Sequence, residues 1–247
     1  KKTDLKDPKT IAKLVVDGRY SYPYLPEGIY ADLREAVSSR ERIVKELNAI
    51  TNRIKRWLKI YFPEYLVVYK NFSAESGLTV LETVPLPQDI VQLGPEGVNQ
   101  LWRDKKLRAV GMKRALTLVE AAHNSIGLPG GNCARMEIQL LLEDFRTKQS
   151  QLEMITEVLE EETLSVPYAD KLLAIKGVGL ITVAGFLAEV GDIRRFDSPK
   201  QIQKLAGLEV KENSSGKHRG RSSISKRGRK RLRKILFQVM LPMIQNN

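Results

Sequence analysis

Apolar residues in this chain fall into two long stretches with alternating steps of four and three, set among shorter patterned segments. The first runs from about residue 27 to residue 61. There Leu33, Val37, Val44, Leu47, Ile54, Leu58 and Tyr61 repeat at helical spacing, Ala36, Ile43, Ile50 and Trp57 widen the stripe, and Arg40 and Thr51 interrupt it. A stripe sustained over about four heptads predicts a long helix that pairs with another, as a coiled coil or as an antiparallel helical hairpin. Pro63 ends it. The second stretch starts near Cys133, with Leu141, Phe145, Lys148, Leu152, Ile155 and Leu159 on the same pattern. It could pack against the first, and ordinary core helices of a bundle would need the same residues.

Shorter elements surround these two. Ile11, Ala12, Leu14 and Val15 predict an amphipathic helix over 9–17 stopped by Gly18, and two prolines and three tyrosines make 20–26 an extended linker. Between Phe72 and Arg108 the apolar runs are broken by Pro85, Pro87, Gly94, Pro95 and Gly97, so short helices and loops are expected. A helix over 111–124 precedes the turn at 127–131. The pattern changes at 163–167. Beyond it come a short helix over 168–175, a tight turn at Gly177-Val178-Gly179, a helix over 180–189 and a short helix over 199–206. A final helix carries Leu232, Ile235, Leu236, Val239 and Met240. The expected fold is mostly α.

Charge adds a location. The chain has 247 residues and a formal charge of +12, yet residues 211–235 alone hold eleven Lys and Arg against one acid, Glu212. A concentrated basic segment suits a phosphate backbone, because each neutralised phosphate releases a counterion; a solvated basic tail would have the same composition. Cys133 is the one cysteine, so no internal disulfide forms and a reducing, cytoplasmic setting follows. No apolar run approaches the roughly 20 residues that span a bilayer, so no membrane partner is expected.

Three segments could carry chemistry. Ile175 to Ala184 fits a helix-hairpin-helix in which Gly177 and Gly179 reverse the chain and leave N–H groups for a nucleic-acid phosphate; a glycine turn between two core helices reads the same way. The segment from Asn213 to Gly228 mixes small residues with Lys217, His218, Arg219, Arg221, Lys226 and Arg227, and Arg229 and Lys230 follow. Either this segment hugs phosphates, or the hydroxyl of Ser215 attacks a phosphodiester while Lys217, Arg219 and Arg221 stabilise the charge developing on phosphorus. His218 could move a proton or contact a phosphate. Asp4 and Asp7, three apart at a helix start, could share a divalent metal, or could serve the positive end of the helix.

Taken in order, several motifs resemble one family. They are Lys2-Thr3-Asp4-x-x-Asp7, Gly177-Val178-Gly179-Leu180-Ile181-Thr182, Phe196-x-Ser198-Pro199-x-Gln201, Leu205-Ala206-Gly207-Leu208, Ser215-Gly216 and Ile224-Ser225-Lys226-Arg227-Gly228-x-x-x-Leu232-Arg233. The chain is similar to the DEDD transposases of the bacterial "one-ten" insertion-sequence family, densely from about Leu172 to Leu241 and more thinly over the first few dozen residues. The resemblance implies a remnant of an α/β RuvC-like nuclease domain over 1–26, a coiled-coil helical region over 27–163, and a helical C-terminal transposase domain with the helix-hairpin-helix over 164–247. It also implies cutting and rejoining of DNA, Ser215 as nucleophile, and Asp4 and Asp7 as the last two acids of an Asp-Glu-Asp-Asp tetrad that binds Mg²⁺. Implied partners are DNA, a structured non-coding guide RNA, and further copies in a homodimer or tetramer formed through the coiled coil. Departures are the absence of the first two acids, which implies an N-terminally truncated and by itself inactive form, and Pro8 where the family usually has alanine. Two alternatives stay open: an inactive DNA- or RNA-binding fragment, and a coiled-coil structural protein with incidental nucleic-acid binding.

Overall fold

The computed structural model describes residues 6–20, 24–108, 110–211, 214–215, 218–219 and 222–245. In chain order the elements are α1 (Lys6–Val16), α2 (Ile29–Tyr61), α3 (Tyr65–Val68), α4 (Glu75–Thr83), α5 (Pro87–Asp104), α6 (Met112–His123), α7 (Asn132–Leu164), α8 (Ala169–Leu173) and α9 (Leu180–Val190). A 3-10 turn (Ile193–Arg195), α10 (Pro199–Ala206), the two-residue strands β1 (Val210–Lys211), β2 (Ser214–Ser215), β3 (His218–Arg219) and β4 (Ser223–Ile224), and α11 (Lys230–Gln245) complete the chain. The fold is mostly helical, as the patterning predicts. The chain divides into two compact units. One is Ala36–Leu159; the other combines Lys1–Glu35 with Glu160–Asn247.

The unit Ala36–Leu159 is built on α2 and α7, which run antiparallel. Trp57 Nε1 donates to the Ala134 carbonyl at 3.0 Å, Lys148 pairs with Glu46 at 2.7 Å, and Arg40 Nε donates to Thr156 Oγ1 at 3.3 Å. Arg40 and Lys148, two of the polar residues within the apolar stripes, are therefore reaching across the pair. Between the two helices the chain wraps an aromatic arc: Phe62, Tyr65, Tyr69 and Phe72 are buried with Trp57 and Trp102. Burying each such ring contributes about 2–3 kcal/mol. Their polar atoms are satisfied, Trp102 Nε1 donating to Ser76 O at 2.9 Å and the Tyr65 hydroxyl to Gly77 O at 2.6 Å.

Gly94 and Pro95 break the helical run as the sequence suggests: Gly94 takes φ 71 and turns the chain at a kink, so α5 is two helical halves that meet there.

In the other unit, α9 and α11 pack closely, with Gly185 against Ile235. Val190, Ala206 and Leu232 form a small buried cluster surrounded by Phe186, Phe196, Ile202, Leu205, Leu208 and Leu236. Helix α1 leaves Ile11, Val15 and Val16 exposed. Among the described residues no helix is long and apolar enough to cross a membrane.

Candidate nucleic-acid interface

The site grows from the two ends of α9. Its start is Gly179, in extended conformation with no side-chain cap, after a turn in which Gly177 takes φ 83. The first N–H groups of α9 thus meet no capping side chain, and Lys176 beside them is exposed. The other end is closed by arginines. A helix leaves its last four carbonyls without intrahelical donors, and here each has one. Gly191 N–H donates to Leu187 O at 2.7 Å, Arg34 Nε to Ala188 O at 3.2 Å, Arg229 Nη1 to Glu189 O, and Arg195 Nε to Val190 O at 3.2 Å. Guanidinium groups also suit the negative end of the helix dipole.

Glu189 supplies the counter-charge. Nine per cent exposed, it lies 3.7 Å from Arg229 Nη1 and 3.6 Å from Arg231 Nη1. Burial, reinforced by the Arg34 charge, holds the Arg229 guanidinium below the ordinary arginine range. Arg195 stacks its guanidinium 3.8 Å from the Tyr24 ring centroid and 4.2 Å from that of Phe196. Tyr168 completes the frame: its hydroxyl accepts from Ile193 N–H at 3.1 Å and hydrogen-bonds the Tyr30 hydroxyl at 2.9 Å.

From this frame a two-armed segment extends. Its base is made by Arg229 N–H on Leu205 O at 2.7 Å, Lys226 N–H on Gly207 O at 2.9 Å and Ser225 N–H on Glu209 O at 2.8 Å. Gly207 takes φ 69 to end α10, and a Cβ on Gly228 would come within 2.5 Å of the Gly207 nitrogen, so the arms cross where neither has a side chain. Lys226, not a glycine, also takes a positive φ of 53. Such a backbone persists only when its surroundings hold it, and here its N–H is bonded across the arms. Farther along, β1 pairs antiparallel with β4 and β2 with β3, with Ser214 opposite Arg219 and Ser215 opposite His218. A loop expected from composition alone is thus partly paired strand.

The sequence-selected residues divide accordingly. Ser215, His218 and Arg219 lie on the β2–β3 pair. Lys226, Arg227 and Lys230 are exposed at the base of the arms, and Arg229 points back to cap α9. Arg233 also turns inward, donating to Ala206 O at 2.7 Å. Gly177 and Gly179 form the turn before α9. Asp7 is exposed in the first turn of α1. Asp4, Lys217 and Arg221 lie outside the described residues. Among those described, no three of His, Cys, Asp and Glu gather as a metal-binding group. Charge counting missed Arg34, Arg195 and Glu189. The signal for the last was present: Glu189 is the sole charged residue in the apolar helix Leu180–Val190.

A helical chain with a basic two-armed segment set on an arginine-capped helix defines the class, and comparison with known proteins gives the family. Residues 169–247 match the model described as the Transposase IS116/IS110/IS902 family, and residues 1–63 match a second model, described as a transposase, for the DEDD proteins of IS110. The chain belongs to this family of insertion-sequence transposases. It is 26% identical over 206 residues to the transposase for insertion sequence element IS1111A of Coxiella burnetii, covering 83% of this chain and 45% of that protein. It is 23% identical over 242 residues to the 44.8 kDa protein of insertion element IS116 of Streptomyces clavuligerus, covering 96% and 59%. With the transposase for insertion sequence element IS1328 of Yersinia enterocolitica it shares 33% identity over 88 residues, 36% of this chain and 26% of that protein. The chain therefore spans roughly half the length of the longer-matching relatives.

Proposed function

We propose that this chain is the DNA-handling part of an insertion-sequence transposase, with Ser215 as the nucleophile that cuts and rejoins a DNA strand. The observation that carries the reading is the pairing of Ser215 with His218 on a segment whose base displays Lys226, Arg227 and Lys230. In the step proposed, the serine oxygen bonds to phosphorus as the bond from phosphorus to a deoxyribose oxygen breaks. That oxygen departs with the electron pair and is protonated, and the serine proton passes to a base, for which His218 is the nearest candidate along the pair. Surrounding cations would stabilise the charge on the phosphoryl oxygens. The turn at Gly177 and Gly179, read as a helix-hairpin-helix, would hold a neighbouring phosphate without reading sequence. Asp4 and Asp7 belong to the proposed metal tetrad, where Mg²⁺ would supply charge neutralisation; of these two acids only Asp7 is among the described residues. A structured guide RNA and assembly of copies through α2 and α7 belong to the same proposal.

The test is a covalent one. In a transposase that carries this sequence together with a complete acidic tetrad, cleaved DNA should stay attached to the protein on a denaturing gel. Ser215→Ala should abolish the adduct and leave DNA affinity unchanged. An adduct that survives Ser215→Ala removes the serine from the mechanism and leaves the segment as a phosphate contact.

A further inference from the structure

The unit Ala36–Leu159 carries a cationic surface that the reading above does not use. From Leu47 to Phe62 the sequence has no acidic residue, while Arg53, Lys55, Arg56 and Lys59 are all exposed on α2. Steps of three and four make them surface neighbours within about 9 Å of helix rise. The carboxylates flanking the run are engaged elsewhere. Glu46 pairs with Lys148 at 2.7 Å, and Glu64 accepts from the Ser125 hydroxyl at 2.6 Å and Ile126 N–H at 3.1 Å. Among the described residues none of the four cations takes part in an ion pair, hydrogen bond or ring contact. Exposed Asn48 and Asn52 extend the same face with hydrogen-bond donors.

Two features separate this run from an ordinary solvated face. Like charges at these spacings weaken a helix, so the run brings no local gain that opposite charges would not better. The two paired helices also differ in charge: over residues 36–159 the exposed charged residues of α2 are all cationic, and those of α7, namely Glu137, Glu143, Asp144, Glu153 and Glu157, are all acidic.

We propose that the Arg53–Lys59 face of α2 is a second contact surface for a nucleic-acid backbone, separate from the C-terminal basic segment. The proposal rests on the reading that the chain works on nucleic acid, and extends it to the helical middle. Closely spaced cations without counter-ions, followed by amide side chains, match phosphates and sugar hydroxyl or ring oxygens better than base edges. DNA and RNA share that chemistry.

The test measures full-chain affinity for a short DNA duplex and for an RNA hairpin over a salt series. Replacing Arg53, Lys55, Arg56 and Lys59 together by Gln should lower the slope of log affinity against log salt by about 2–4 for the polymer that binds there, at unchanged helicity by circular dichroism. If that variant loses helicity, Arg53→Gln with Arg56→Gln should lower it by about 1–2. A control replaces Lys226, Arg227 and Lys230 by Gln. Should the α2 variant keep the wild-type slope on both polymers while the control loses it, the α2 proposal falls and the C-terminal reading stands. Loss in the α2 variant alone keeps the proposal and removes the C-terminal assignment. Loss of binding to polyglutamate, with both nucleic acids unaffected, overturns it in favour of an acidic protein partner.

Discussion

The two units hold themselves together by different means. Ala36–Leu159 relies on bulk: Trp57, Trp102 and five further aromatic rings are buried in one continuous apolar core. The other unit buries smaller side chains, among them Leu33, Val183, Leu187, Val190 and Leu232, with no buried aromatic ring among its described residues, and it adds guanidinium groups, three of which close the end of α9 around Glu189. A large core tolerates changes of surface charge. A module whose frame is made of cations does not, because the residue type that suits phosphate also fastens the fold. Counting basic residues therefore overstates how many are available for nucleic acid.

This contrast can be broken at three depths. The largest effect is expected from Trp57→Ala, which opens a cavity and leaves the Ala134 carbonyl without its indole donor; a loss of about 3–5 kcal/mol follows from comparable truncations. Both tryptophans lie in Ala36–Leu159, so Trp102 emission reports that unit during denaturation. A change below about 1 kcal/mol would show that the core does not carry the unit. Glu189→Ala should cost less, about 1–2 kcal/mol, because the arginines that lose this counter-charge are partly solvated. It should speed tryptic cleavage around residues 229–233 with the emission midpoint unchanged; an equal shift in emission would mean the two units unfold as one.

Acid should bring the smallest change. Hydrogen bonding from Lys148 and from Arg146 holds Glu46 and Glu75 below the ordinary 4.5. At Glu64, burial pushes the value up, but the bonds from Ser125 and Ile126 outweigh it and the net direction is down. A folded value below the unfolded one gives stability that is complete above the unfolded value and lost as pH falls through the folded one. The tryptophan-monitored midpoint should hold down to about pH 5 and decline below it. A midpoint that rises on acidification would contradict these ion pairs.

Much of the architecture was legible from spacing. Gly18, Pro63 and Gly111 each stand next to the end of a helix, and the stripes from Leu33 to Tyr61 and from Leu141 to Leu159 predicted two long helices able to pair. Gly94-Pro95 was legible too: a glycine–proline step reads as a break, and the chain kinks there between two helical halves. The short strands escaped notice because serine, lysine and arginine carry little strand preference, and pairing between the arms supplies what the residues lack. At the candidate site, charge density located the basic segment but could not sort it. Whether an arginine faces water, like Arg227, or a helix end, like Arg229, depends on α9, some forty residues earlier in the chain.

The unit that holds the arginine frame is discontinuous in sequence, and this bears on the order in which the chain can assemble. Its hydrogen bond between Tyr30 and Tyr168 joins residues 138 apart, and that from Arg34 to the Ala188 carbonyl joins residues 154 apart. Closing such loops through an unfolded chain carries an entropic penalty that grows with the logarithm of their length. As synthesis proceeds from the N-terminus, residues 36–159 can bury their core before Arg229 has been made. Within residues 1–247, the cationic module can complete its frame only once Arg229 has been made, after the helical middle.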